Sequence, residues 1–345
     1  VSEPHTGRGA WADPAVEEVA PGVLRIPLPL PEDGLRAVNV YVLLGRDQVI
    51  AIDSGWSIPQ ARELLVAQLR TRELSPADIR RFLVTHVHRD HYTLGIALRR
   101  EYGNTVALGI GEEPSIAYAN VAQSRPLGPQ LDMLRLMGAD PLARGFEERF
   151  AADPPGRERD FDPPDEWLSA GPLVTEVGRT LEVVETPGHT RGHVVFHDLA
   201  AGLLFAGDHV LPTITPSIGF EAVLSPNPLG QFLSSLALVR ARPDARLLPA
   251  HGPVTESVHA RVDELVGHHG WRLEATEKAV AAGASSGAET AALLTWTRRG
   301  TAFGDLDPFN QMLAVSETGA HLQLLLAQGR LRAQDLEGVR RYALS

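Results

Sequence analysis

The sequence contains no cysteine and a single lysine, Lys278. Without thiols it has no disulfides, no thiolate zinc site, no iron–sulfur cluster and no cysteine nucleophile. Schiff-base chemistry has one candidate, and Lys278 lies in a polar, helical-looking run that discounts it. No apolar run approaches the roughly 20 residues of a transmembrane helix. Positive charge is also scarce: 32 Lys and Arg stand against 43 Asp and Glu, for a formal net charge of -11. A broad basic footprint for nucleic acid is therefore not expected. The opening VSEPHTGRGAWADP lacks the basic-then-apolar layout of a signal peptide, so a cytoplasmic location is the default expectation.

What is present suffices for a substantial core: 345 residues, 43% of them hydrophobic. That length permits one large domain with a smaller one attached. GVLRIPLPL, VNVYVLLG and RDQVIAIDSG read as strands, and residues 59–70 have the apolar spacing of an amphipathic helix with Pro59 near its start. IRRFLVTH reads as a short buried strand that ends in a loop, and NTVALG as another strand. Residues 112–168 change character and predict a helical excursion, with a loop at DPPGRERDFDPPDEW, that decorates the scaffold or walls a substrate pocket. Strand signals resume at GPLVTEV, TLEVVETPG, GHVVFHD, GLLFAGDHV and ARLLPAHG, with a helix over NPLGQFLSSLALVRARPD. The pattern predicts a layered α/β domain over 1–255 and a small helical domain over 256–345, with a short hairpin near the end. That tail is expected to extend the core, to form a homodimer surface, or to wall the site.

The polar residues that follow the apolar runs form a set. They are His86, His88, Asp90 and His91 in THVHRDHYTLG, His189 in TPGHTRGH, Asp208 in FAGDHV and His251 in LPAHG. Taken singly, a His-x-His pair is usually solvent-facing and a Gly-Asp-His turn is commonplace. Together they recur in one context, the ends of strands, which converge on one edge of a layered α/β protein. Imidazole and carboxylate suit zinc and similar divalent ions. Five His and two Asp hold two ions if one carboxylate bridges, an arrangement that fits metals about 3.5–4 Å apart. His86 and His88 alternate by two, as residues on one side of an extended segment do, and Asp90 and His91 lie beyond the turn. His193 and His209 are expected to support or pack against the set, and His268 and His269 to lie on the surface.

The His-x-His-x-Asp-His run and its later partners resemble the metallo-beta-lactamase superfamily over about residues 20–255. The resemblance implies an α+β, four-layer αββα sandwich with a binuclear site in an edge groove. It implies that His86, His88 and His189 hold one ion and that Asp90, His91 and His251 hold the other, with Asp208 between them. Asp53 of AIDSG looks like the family's residue that orders the ligand loop. Because Asp90 and His91 are both retained, the site looks more like the glyoxalase II and lactonase type than an antibiotic-hydrolysing one. In the tail, ESVHARVDELVGHHGWRLEATEKA and FNQMLAVSETGAHLQLLLAQGRL resemble the winged-helix-like extension of the LACTB2-like branch.

The expected chemistry is hydrolysis by metal-activated water, with Asp90 as the proton shuttle and zinc, manganese or iron as the metal. The first-choice substrate is a thioester or lactone carbonyl in a small molecule, for instance an acyl-thioester. The alternatives are phosphodiester or RNA cleavage and a di-iron redox protein. Arg89, Arg125 and Arg191 are the arginines that a phosphate track would use, and Tyr92 is a weak candidate for a substrate contact.

Overall fold

The structure, a computed structural model, describes residues 10–31, 34–121, 127–152, 160–297 and 300–345. The first half builds a mixed sheet from β1 (Glu17–Ala20), β2 (Val23–Pro29), β3 (Ala37–Leu44) and β4 (Val49–Ile52). It continues through helix α1 (Pro59–Arg70), β5 (Ile79–Val84), helix α2 (Arg89–Tyr102) and β6 (Thr105–Gly109). Helices α3 (Glu113–Val121), α4 (Gly128–Leu136) and α5 (Asp140–Ala152) precede β7 (Glu166–Leu168), which closes the sheet's far edge. The strands lie in chain order, antiparallel from β1 to β4 and parallel from β4 to β7.

The second sheet follows as β8 (Gly171–Val174), β9 (Thr180–Glu185), β10 (Val194–Asp198) and β11 (Leu203–Gly207). Helix α6 (Pro228–Arg240) then crosses over to β12 (Arg246–Pro249), which lies parallel to β11. The tail consists of α7 (Val258–Ala281), α8 (Gly287–Leu293), the short pair β13 (Thr295–Trp296) and β14 (Thr301–Ala302), α9 (Pro308–Ala327), and a hairpin of β15 (Leu331–Leu336) and β16 (Val339–Leu344).

Strand periodicity produces the layers. In β3, Tyr41 and Leu43 pack toward the second sheet with Phe196 and Phe205, while Val38, Val40 and Val42 pack outward with Leu65 of α1 and Leu94 of α2. The outer face of the second sheet contributes Val184, Val195, Leu204 and Leu247 to a cluster with α4 to α9. Helix, sheet, sheet and helix therefore stack as four layers. The buried residues of the tail, among them Val262, Leu265, Met312 and Val315, belong to that same cluster. Among the described residues, no helix is long and apolar enough to cross a membrane.

Several elements differ from the sequence expectation. The loop expected after β5 is only Thr85–His88. Helix α2 begins at Arg89, with His88 as its cap, so Asp90 and His91 stand in its first turn. RDHYTLG escapes detection because polar residues occupy that turn. β7 emerges from the expected excursion as a three-residue strand, too short to show an alternation. The small domain expected to be helical also carries a short strand pair, for α8 ends at Leu293 and Thr295–Trp296 turn extended. Part of the loop expected at 153–167 lies outside the described residues. His269 is fully buried and His268 half-buried, contrary to the surface placement expected for both, because His269 lies on the apolar face of α7.

The crossing of the 187–190 turn over α6 leaves no room for a side chain at Gly188. Its φ is +142°, and a Cβ there would lie 2.5 Å from the Phe232 Cα. Gly188→Ala is expected to cost about 2–3 kcal/mol, read as a lower urea midpoint with an unchanged m-value.

Candidate metal centre

The seven candidate side chains converge at one edge of the sandwich, where β5, the turn after β9, β11 and β12 end. They form two groups: His86, His88, His189 and Asp208, and Asp90, His91 and His251. Within each group, one donor atom per residue lies within 4.8 Å of the others. In the first group three nitrogens point at one place: His88 Nδ1 is 3.0 Å from His86 Nε2 and 3.1 Å from His189 Nε2. In the second, His251 Nε2 lies 3.4 Å and His91 Nε2 3.5 Å from Asp90 Oδ2. Asp208 divides between them. Its Oδ2 is 3.4 Å from His189 Nε2, and its Oδ1 is 3.3 Å from His251 Nε2 and 3.7 Å from His91 Nε2.

The far sides of these rings are already bound. His91 Nδ1 donates to Asp53 Oδ2 (2.9 Å), His189 Nδ1 to the Ser217 carbonyl (2.8 Å) and His251 Nδ1 to the Ala37 carbonyl (2.7 Å). The Thr85 hydroxyl donates to Asp53 and accepts from His86 Nδ1 at 3.1 Å. Each Nδ1 that carries a proton leaves Nε2 a bare lone pair turned inward. Asp53 stands at φ +58° and also accepts the Thr85 amide at 2.8 Å. Buried His193 places its Nδ1 2.8 Å from the Thr186 hydroxyl, and its Nε2 accepts the Asp208 amide at 3.1 Å. It thus holds the backbone of Asp208 and stacks on His86. His209 is buried against Phe232, which fits packing.

Whether divalent cations fit is decided by the unsatisfied atoms. His91 Nε2, His251 Nε2 and Asp208 Oδ1 are buried without a hydrogen-bond partner. Such atoms are costly to bury unless something fills them. Burial alone would lower the His91 pKa, but Asp90, Asp53 and Asp208 together outweigh it and push it up to about 10. Burial and the His189 ring lower His88 to about 3. Burial would raise Asp90, yet His91, His251 and His88 hold it ionised, well below the usual carboxylate range. Three carboxylates around neutral lone pairs call for positive charge, and divalent ions supply it in place of protons.

Arg89 is exposed beside His88, its guanidinium 4.2 Å from the Trp56 ring centre. Arg191 is half-buried, and Arg125 lies outside the described residues. Tyr92 is fully buried and donates its hydroxyl to the Asp162 carbonyl at 2.6 Å, so it packs and does not offer that group to a substrate.

Two groups of residues escaped the sequence reading. Asn39 of β3 donates to the Pro249 and Gly252 carbonyls, both at 2.9 Å, and so pins the His251 turn to the first sheet. An asparagine inside an apolar strand was the available signal. Glu112 and Glu221 grip the 190–192 turn. The Thr190 hydroxyl donates to Glu112, and the Arg191 amide donates to Glu221 Oε2 at 2.8 Å. Gly192 passes so close that a Cβ would lie 2.1 Å from the Glu112 nitrogen. Burial pushes Glu112 up to about 7, and burial with the charge of Glu112 pushes Glu221 up to about 8.

Sandwich and donor set together place the chain among metal-dependent hydrolases. Residues 33–251 match the profile of the metallo-beta-lactamase superfamily, and the chain belongs to that superfamily. It is 24% identical over 247 residues to an atrochrysone carboxyl ACP thioesterase of Emericella nidulans, covering 72% of this chain and 61% of that one. It is 28% identical over 184 residues to the human acyl-coenzyme A thioesterase MBLAC2, covering 52% and 60%. A metallo-beta-lactamase family protein from Thermus thermophilus superposes with a TM-score of 0.74 at 27% identity, over 95% of this chain and 100% of that one. The superfamily fold normally binds divalent metals.

A carboxyl whose folded pKa is raised stabilises the fold below its ordinary value and loses that stability as pH climbs through the raised one. For Glu221 the window runs from near 4.5 to about 8. Glu221→Gln retains an acceptor for Arg191 and removes the charge. Its melting temperature is expected to fall less than the wild type's across that window; parallel curves would contradict the buried-charge account.

Proposed function

We propose that the chain is a binuclear metal-dependent hydrolase acting on an acyl thioester. The observation that carries the reading is the division of Asp208, whose two oxygens face different donor groups. In this reading His86, His88 and His189 would hold one cation and Asp90, His91 and His251 the other, with Asp208 between the two groups. Zinc suits such imidazole and carboxylate donors. Bound there, the two cations supply Lewis acidity toward a carbonyl oxygen and a hydroxide at neutral pH.

The protein's own part is orientation and proton handling. The bonds from Asp53, Thr85, Ser217 and Ala37 fix the imidazoles before substrate arrives. Asp90, held ionised and only partly buried, takes up the proton released on attack and returns it to the departing thiolate. Attack forms the C–O bond and expulsion breaks the C–S bond, leaving a carboxylic acid and a thiol. The relatives named as ACP and acyl-coenzyme A thioesterases support a thioester over the lactone that the residues allow equally.

With metal-loaded protein, a panel of acyl-thioesters, lactones, phosphodiesters and short RNAs is expected to show turnover on thioesters. Turnover confined to RNA or phosphodiesters would replace this reading. His88→Ala and Asp208→Ala are expected to abolish turnover, as is chelation, with recovery after zinc or manganese is returned. Asp53→Asn removes the charge behind His91 and is expected to weaken metal affinity about 10–100-fold in chelator competition, with turnover restored at excess metal.

A further inference from the structure

A separate group of donors lies between α7 and α9. His268 and His269 of α7 and Glu317 of α9 each bring one donor atom within 4.8 Å of the others, the measure that the two groups at the sheet edge also meet. A nearby ring settles which nitrogens are bare. His321 follows Glu317 by one helical turn, and its Nδ1 donates to the Glu317 carbonyl at 2.8 Å. Its Nε2 is therefore an acceptor, and His269 Nδ1 donates to it at 3.2 Å. That leaves His269 Nε2 without a proton. The ring is fully buried, and this nitrogen meets no hydrogen-bond partner.

Glu317 offers a carboxylate whose side chain is 18% exposed, and His268 is half-buried, so the group reaches solvent on one side. Arg272 carries the competing positive charge. Its Nε stands 3.9 Å from Glu317 Oε1, beyond hydrogen-bond reach, and its guanidinium is drawn off by the Thr295 carbonyl at 3.0 Å and the Trp296 ring at 4.3 Å. Two imidazoles and one carboxylate are a donor set for a borderline transition-metal ion, with a fourth position for water.

We propose that His268, His269 and Glu317 form a further metal site, which takes a zinc-like divalent ion and clamps α7 to α9. The clamp bears on the loop after Asp208. Arg261 of α7 donates to the Leu211 and Ile214 carbonyls, and Gly219 lies against Ser316 of α9. Ser217 in that loop holds His189. The site is independent of the proposed hydrolytic reading, and its occupancy is measured without turnover.

The test strips the full chain with a chelator, dialyses it against zinc and measures bound metal per chain. Wild type is expected to retain one more zinc than either His268→Ala or Glu317→Gln. Cobalt in place of zinc is expected to show a visible absorption component that both variants lose. The same comparison in an Asp208→Ala background isolates this group from the centre at the sheet edge. Equal metal content in wild type and both variants, in either background, overturns the site.

Discussion

Asp53 ends β4 in left-handed backbone and accepts the Thr85 amide, the Thr85 hydroxyl and His91 Nδ1. Through Thr85 it sets His86, and directly it sets His91, so one buried carboxylate fixes the tautomers of rings in both donor groups. The same device recurs with backbone carbonyls behind His189 and His251. A ring whose outer nitrogen is bound has neither rotational nor tautomeric freedom left, and its inner lone pair is presented whether or not anything meets it. Preorganisation of this kind requires that the strand ends themselves be immobile, and the two sheets supply that.

Electrostatics then makes the arrangement one-sided. Asp90 and Asp208 are placed where few protein donors reach them, among rings that burial keeps from charging, His91 and His251 excepted. Buried carboxylates are tolerated when paired or bound to metal. Glu112 and Glu221 follow a different rule nearby: with raised pKa values they hold a turn by hydrogen bonds and have no nitrogen lone pairs to share. Glu112 and Glu221 thus meet hydroxyl and amide donors, whereas Asp90 and Asp208 face imidazoles.

The seven candidate ligands were legible as a set because they follow points where apolar runs stop, and a sequence displays that boundary directly. The sandwich was legible for the same reason, through strands such as VLRIPLP and AVNVYVLL that are buried on both faces. What stayed hidden depends on partners distant in the chain. Asn39 looks like a blemish in β3 until the His251 turn lies against it. Glu112 looks like a surface acid until Gly192 passes over its nitrogen. Helix α2 was masked because polar residues fill the turn where a helix signal would begin. His269 was misplaced because a histidine on an apolar face reads as polar until its neighbours are known.

The pinning of the His251 turn by Asn39 has a temporal side. During synthesis the His86–His91 run leaves the ribosome long before His251, and Asn39 waits on β3 for a carbonyl partner that is made last among the site's elements. For that interval the His86–His91 run stands without its last partner, and the seven-residue cluster is complete only once β12 has formed and the turn after it has met Asn39.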